Sequence, residues 1–113
     1  MAASAINEVV VGITATGAIA QFQPVQASGA PAVAAGNAMG FATTSAASGS
    51  RVGVCVVGTA IAIAGAAIAV GAAVEVHTTV TQVVTKAAGI AIGRALTAAA
   101  QAGDQIEVLI IGN

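Results

Sequence analysis

A chain of 113 residues with 58% hydrophobic residues, 6% charged residues and a net charge of −1 has room for one domain with a modest core. It cannot build a basic surface for nucleic acid, and its single cysteine excludes an internal disulfide. A folded chain of this mass exposes roughly 5,500 Å², so each charge serves about 800 Å², the area that one partner covers in an ordinary interface; such a surface is expected to be hidden by neighbours.

In chain order, "MAASAIN" at residues 1–7 is uncharged and free of turn formers. It reads as an N-terminal arm able to add as an edge strand to a partner, which makes Ala2, Ala3, Ser4, Ala5, Ile6 and Asn7 candidate contact residues. From residue 8 to 113 a single β-domain is expected. "NEVVVGITAT" sets Val9, Val11, Ile13 and Ala15 on one side of a two-residue period. Phe22 and Phe41, the only aromatics, read as core anchors. Pro24 and Pro31 end a strand or confine it to an edge, and that edge is a second candidate contact.

The second half continues the alternation. "RVGVCVV" places Val52, Val54 and Val56 together, "GTAIAIAG" alternates Ile61 and Ile63 with alanine, and "AAVEVHTTV" turns Glu75 away from Val74 and Val76. "QIEVLII" sets Ile106, Val108 and Ile110 opposite Glu107. These runs are short, β-branched and fenced by glycine, as in a small all-β barrel or sandwich. At most a short helical turn is expected near 97–102, where alanines precede Gly103. Arg51 and Arg94 are the cations that could fix orientation at an interface.

The competing reading starts from residues 59–74, "TAIAIAGAAIAVGAAV", an uncharged run just short of the roughly 17 to 25 residues of a membrane helix. It makes the chain a small membrane-associated protein with an Ala/Gly-rich helix there. Against it, the chain has no Trp or Tyr for an interfacial belt and no basic flank to set a topology. The N-terminus lacks the positive region of a signal peptide.

The chain also repeats itself. "MGFATTSAASGSRVGVCVVG" at 39–58 returns as "IGRALTAAAQAGDQIEVLIIG" at 92–112. Gly40/Gly93, Ala42/Ala95, Thr44/Thr97, Ala46/Ala99, Gly49/Gly103 and Val54/Val108 are identical, and Cys55 stands opposite Leu109. Upstream, Ile19 and Val25 fall opposite Ile68 and Val74. Pseudo-repeats at about 17–58 and 66–112, joined by a ribbon at 59–65, are expected to pack on each other, because a unit of about 40 residues cannot close a core alone.

Motifs for chemistry are missing. No glycine-rich phosphate loop and no nucleophile elbow occurs. Glu75 and His77 supply at most two ligands where a metal needs three or four. Asp104 and Glu107 are three residues apart and form no acid/base pair on a strand; Asp104 reads as a turn residue after Gly103. Cys55 reads as a small core residue. No enzyme, cofactor or metal is expected.

The closing stretch "GIAIGRALTAAAQAGDQIEVLI", residues 89–110, resembles the C-terminal signature of the small capsid decoration, or cement, proteins of tailed bacteriophages. An apolar strand ending in glycine runs into "ALTAAA", then a Gly-acidic turn, then a strand of the "IEVLI" type. Gly93, Ala95, Ala99, Gly103, Asp104, Val108 and Leu109 occupy the pattern. "GTAIAIAG" and "AVGAAV" are similar to the strand and small-residue turn that open the second half of such proteins, whereas "VTQVVTKAAG" is more apolar than their usual polar turn. The resemblance implies a β-tulip or β-clip-like domain and a homotrimer, or a set of separate protomers, around a capsid threefold or quasi-threefold axis. It further implies a structural virion protein on the outer surface of the capsid. Its partner there is the major capsid protein, whose lattice it holds together after the head expands.

Overall fold

The computed structural model describes residues 5–111, and no helix occurs among them. The strands are β1 (Asn7–Thr14), β2 (Pro24–Val25), β3 (Gly40–Ala42), β4 (Arg51–Ile63), β5 (Ala73–Val76), β6 (Val83–Thr85), β7 (Gly93–Ala95) and β8 (Gln105–Ile110). They form one sheet in the order β2-β3-β4-β8-β7-β5-β6, with β1 on β4. All pairings between these strands are antiparallel. The chain is all-β, as its two-residue periodicity predicts.

The Ala/Gly-rich helix of the membrane reading does not form. Residues 59–63 are instead the second half of β4, paired from Thr59↔Leu109 to Ile63↔Gln105. Among the described residues no helix is long and apolar enough to cross a membrane. The alternation decides it: Ala60 and Ala62 point into the core opposite the bulky Val108 and Ile106, while Ile61 and Ile63 turn outward and stay half-buried. Small and large side chains facing each other fill that layer without strain. Residues 97–102 form no helical turn either. Ala99 and Ile68 exchange two backbone hydrogen bonds, of 2.9 and 3.0 Å, an isolated bridge that a helical turn could not make.

The pairings recur between the two halves. Pro24↔Phe41 and Val25↔Gly40 are matched by Ala73↔Arg94 and Val74↔Gly93. Phe41↔Cys55 and Ala42↔Val54 are matched by Arg94↔Leu109 and Ala95↔Val108. Val11↔Val54 and Ile13↔Val52 are matched by Ala60↔Val108 and Ala62↔Ile106. The bridge Ile19↔Ala46 answers Ile68↔Ala99. The first half of β4 therefore does for one unit what β8 does for the other, and its second half repeats the part of β1. What the sequence presents as a ribbon between copies is the strand that belongs to both.

One strand serving two cores must change sides, and Gly58 makes the change. Before it, Val52, Val54 and Val56 pack with Ala15, Ile19 and Val25 in the smaller core. After it, Ala60, Ala62 and Ala64 pack in the larger core with Ile68, Val74, Ile106 and Val108. Cys55, of opposite parity to Val54, joins the larger core together with Phe41, Ala32 and Ala38, so the first half also closes against the second. Gly58 has φ 102°, and the β1–β4 register shifts beside it, between Asn7 and Val9 and between Val9 and Val10. This is a pair of bulges, the device that lets a strand bend and redirect its side chains.

The same irregularity explains the exposure of Val9. Its partners on the two-residue period behave as the pattern predicts, with Ala15 buried and Val11 and Ile13 packed against the smaller core. Val9, past the register shift, is 44% exposed. Beyond Val9 the chain crosses toward the other half. The Ile6 N–H donates to Thr59 Oγ1 at 2.7 Å, the Thr59 hydroxyl donates to Glu107 Oε2 at 2.7 Å, and the Thr59 N–H donates to the Ile6 carbonyl at 2.9 Å. Thr59→Val keeps the shape but loses both hydroxyl bonds. It is expected to cost about 1–2 kcal/mol in urea denaturation, with the larger share of the loss read as earlier hydrogen exchange at Ile6.

Candidate interaction surface

The sheet turns an apolar side to the exterior around β7 and β8. Ile106 and Val108 are fully buried, so their neighbours on the opposite face, Gln105 and Leu109, point out. Leu109 pairs with Thr59 on one flank and with Arg94 on the other, and Ile6 is bonded to Thr59. Leu96 donates its N–H to the Glu107 carbonyl at 2.8 Å, which brings it beside the same row. Ile6 is 64% exposed, and Leu96 and Leu109 are 41% exposed. An outward sheet face normally alternates to polar residues; here leucines and isoleucine stand among Thr59, Glu107 and Arg94. In the first half the matching residues, Cys55 and Phe41, are buried.

Of the contact residues expected from sequence, Ala2, Ala3 and Ser4 lie outside the described residues. Ala5, Ile6 and Asn7 are exposed at the start of this face. Arg94 belongs to it as well, with its guanidinium donating to the Gly71 carbonyl at 2.7 Å. Pro31 is half-buried in an antiparallel bridge with Val25, and its carbonyl accepts from Gln26 Nε2 at 3.0 Å. Pro24 does not reach the surface: it is fully buried in β2, because its missing N–H costs nothing at the end of the sheet while its ring fills the core. Arg51 is exposed on β4 and lies apart from the row, over β1. Leu109 carries its own signal in the sequence. In "QIEVLII" it falls on the side of Glu107, away from Ile106 and Val108.

The remaining polar groups serve the fold. Glu75 is buried in β5, and its Oε1 accepts N–H bonds from Ala87 at 2.7 Å and Gly89 at 2.9 Å. These two bonds, the Ala87 bond first, hold its carboxyl below the usual range, with Lys86 adding attraction and burial opposing. A depressed folded-state pKa contributes stability that is present at neutral pH and lost as acid protonates the group. Melting followed from pH 6 downward is therefore expected to fall below about pH 4.3, the free glutamate value. Glu75→Gln should flatten that part of the profile.

His77 Nδ1 accepts from the Thr79 N–H at 3.0 Å and shapes a turn. Asp104 Oδ2 accepts from Ala100 at 2.8 Å and Gln101 at 3.2 Å, as a turn residue should. Cys55 is buried; desolvation pushes its thiol up against the bond from Sγ to the Val57 carbonyl at 3.3 Å. Phe41 is buried in the larger core and Phe22 half-buried. Among the described residues no three of His, Cys, Asp and Glu come together to hold a metal ion.

The fold and the match to known proteins agree. A structure of the N base of the head fiber gp8.5 in bacteriophage phi29 superposes with a TM-score of 0.72 at 18% identity, over 91% of this chain and 93% of that one. At that identity the likeness speaks for the fold. No curated protein sequence matches the chain. The model of the phage cement proteins matches residues 4–110, nearly the whole length, and with it the chain belongs to the phage cement protein family, structural components of the virion.

Proposed function

We propose that this chain binds the outer surface of the major capsid protein lattice as a homotrimer around a capsid threefold axis, and stabilises the expanded head. The observation that carries this reading is the uncovered apolar face of β7 and β8, with Ile6, Leu96 and Leu109 outermost. Burying such a face costs little desolvation, since few charges surround it, and the gain is summed over the many copies on one shell. Arg94 at its edge supplies orientation. Ala5 and Ile6 lie beside this face, and the arm, Ala2 to Asn7, would extend the contact by strand addition to a capsid protein.

Co-sedimentation of the full chain with expanded heads tests the proposal. Saturable binding, weakened when residues 2–6 are deleted, is the expected result. Heads that pellet without the chain overturn it. A bound chain that is indifferent to the deletion removes the arm, Ile6 included, from the contact and leaves Leu96 and Leu109 to carry it.

A further inference from the structure

The second exposed feature is an edge. Among the described residues β1 pairs with β4 alone, so its other side offers free backbone donors and acceptors from Asn7 to Ile13. At Thr14 the edge is closed. The Thr16 N–H donates to the Gly29 carbonyl at 3.0 Å, and any side chain on Gly29 would collide with the Thr14 oxygen. Exposed edges are usually guarded by lysine, proline or brevity. This one is eight residues long, "NEVVVGIT", with Glu8 its only charge and with Val9 and Val10 44% and 47% exposed.

Arg51 lies over that edge. It comes from β4, opposite Thr14, yet its guanidinium reaches across β1, with Nη2 3.2 Å from the place a Gly12 side chain would occupy. Gly12 leaves the berth that the cation fills. Val10 and Gly12 share one side of β1, and past the register shifts the Glu8 side chain lies against Gly58, so the strand carries an anion toward one end and a cation toward the other.

We propose that β1 pairs antiparallel with the β1 of a second copy, about a twofold axis at Val10. In this register Val10 faces its own counterpart, Asn7 faces Ile13, and Glu8 faces Gly12 beneath the other copy's Arg51. The pairing uses the whole free edge and stops where Gly29 blocks it. The Glu8–Arg51 contact forms twice, as twofold symmetry requires. It lies along β1, apart from the sheet face of β7 and β8 assigned above to the capsid, so the sheet-face contact and this one stand without each other. On a shell it ties neighbouring copies together.

Sedimentation equilibrium of the full chain over a concentration series tests this. A reversible dimer is expected. Val10→Lys sets two ammonium groups directly opposite and should weaken it about tenfold or more. Glu8→Arg or Arg51→Glu alone should also weaken it, and the two exchanged together in one chain should restore it. Val10→Cys should cross-link to a covalent dimer on oxidation, which decides the matter even if the lysine variant fails to fold. A chain that stays monomeric at every concentration, and whose Val10→Cys variant forms no cross-link, overturns the proposal. So does a dimer that Val10→Lys leaves intact, or one that the double exchange does not rescue.

Discussion

Gly58→Val is expected to lower the stability of the chain by about 3 kcal/mol or more, a large part of the total for a domain of this size. Two costs add. A β-branched residue is forced to φ 102°, where L side chains rarely go, and its Cβ collides with the Ile6 carbonyl oxygen. Relieving either one straightens β4 and turns Ala60 and Ala62 out of the larger core. Gly103→Ala is the control: φ is 92°, yet nothing stands within 4 Å of the added carbon. It should cost only about 1 kcal/mol. Urea midpoints of the two variants separate the bulge from the general strain of a positive φ, and equal losses would count against the role given to Gly58.

Phe41→Ala carries the second large effect, a loss of about 3–5 kcal/mol. Phe41 is 1% exposed and packs with Cys55 and residues of the second half in the larger core, so its removal opens a cavity where the two units meet. Leu109→Ser is its counterpart on the surface. Leu109 takes the position in β8 that Cys55 takes in β4, but it is 41% exposed. Its stability should change by no more than about 0.5 kcal/mol, while its occupancy on expanded heads should drop. Thermal melts and co-sedimentation of the two variants read fold and function apart. A destabilised Leu109→Ser chain would mean that the β7–β8 face is part of the core.

Much of this fold is legible in the residues because the two-residue period is strong. Val52 and Val54, Val74 and Val76, and Ile106 and Val108 are buried as the alternation predicts. Glu107 turns away from them, and Glu75 does too, although the 86–90 segment covers it. The matching stretches at 39–58 and 92–112 correspond to strands paired in the same registers. What the pattern hides is the continuity of β4. A single glycine looks like punctuation in "CVVGTAIA", and only the third dimension shows that it bends a strand where a ribbon between two copies is expected. Composition supplies the competing helix at 59–74, and Val108 and Ile106, filling the space opposite Ala60 and Ala62, decide for the alternating strand.

Less of the interaction surface is legible. Arg94 and Ile6 come together on one face, but proline is a poor guide. The rule that keeps Pro24 at the end of a sheet says nothing about burial, and this ring is inside. Leu109 is legible from its place beside Glu107 in the alternation of β8, whereas Leu96, just past the end of β7, lies outside any alternating run. Their exposure follows from β8 having its interior side already filled.

The most direct test of the central claim, that the apolar β7–β8 face is covered by the shell, is a cryo-EM map of expanded heads incubated with this chain. Density of this size above the lattice, with Ile6, Leu96 and Leu109 turned toward the capsid protein, is the predicted result. Bare heads, or a bound chain with those three side chains facing solvent, would contradict it.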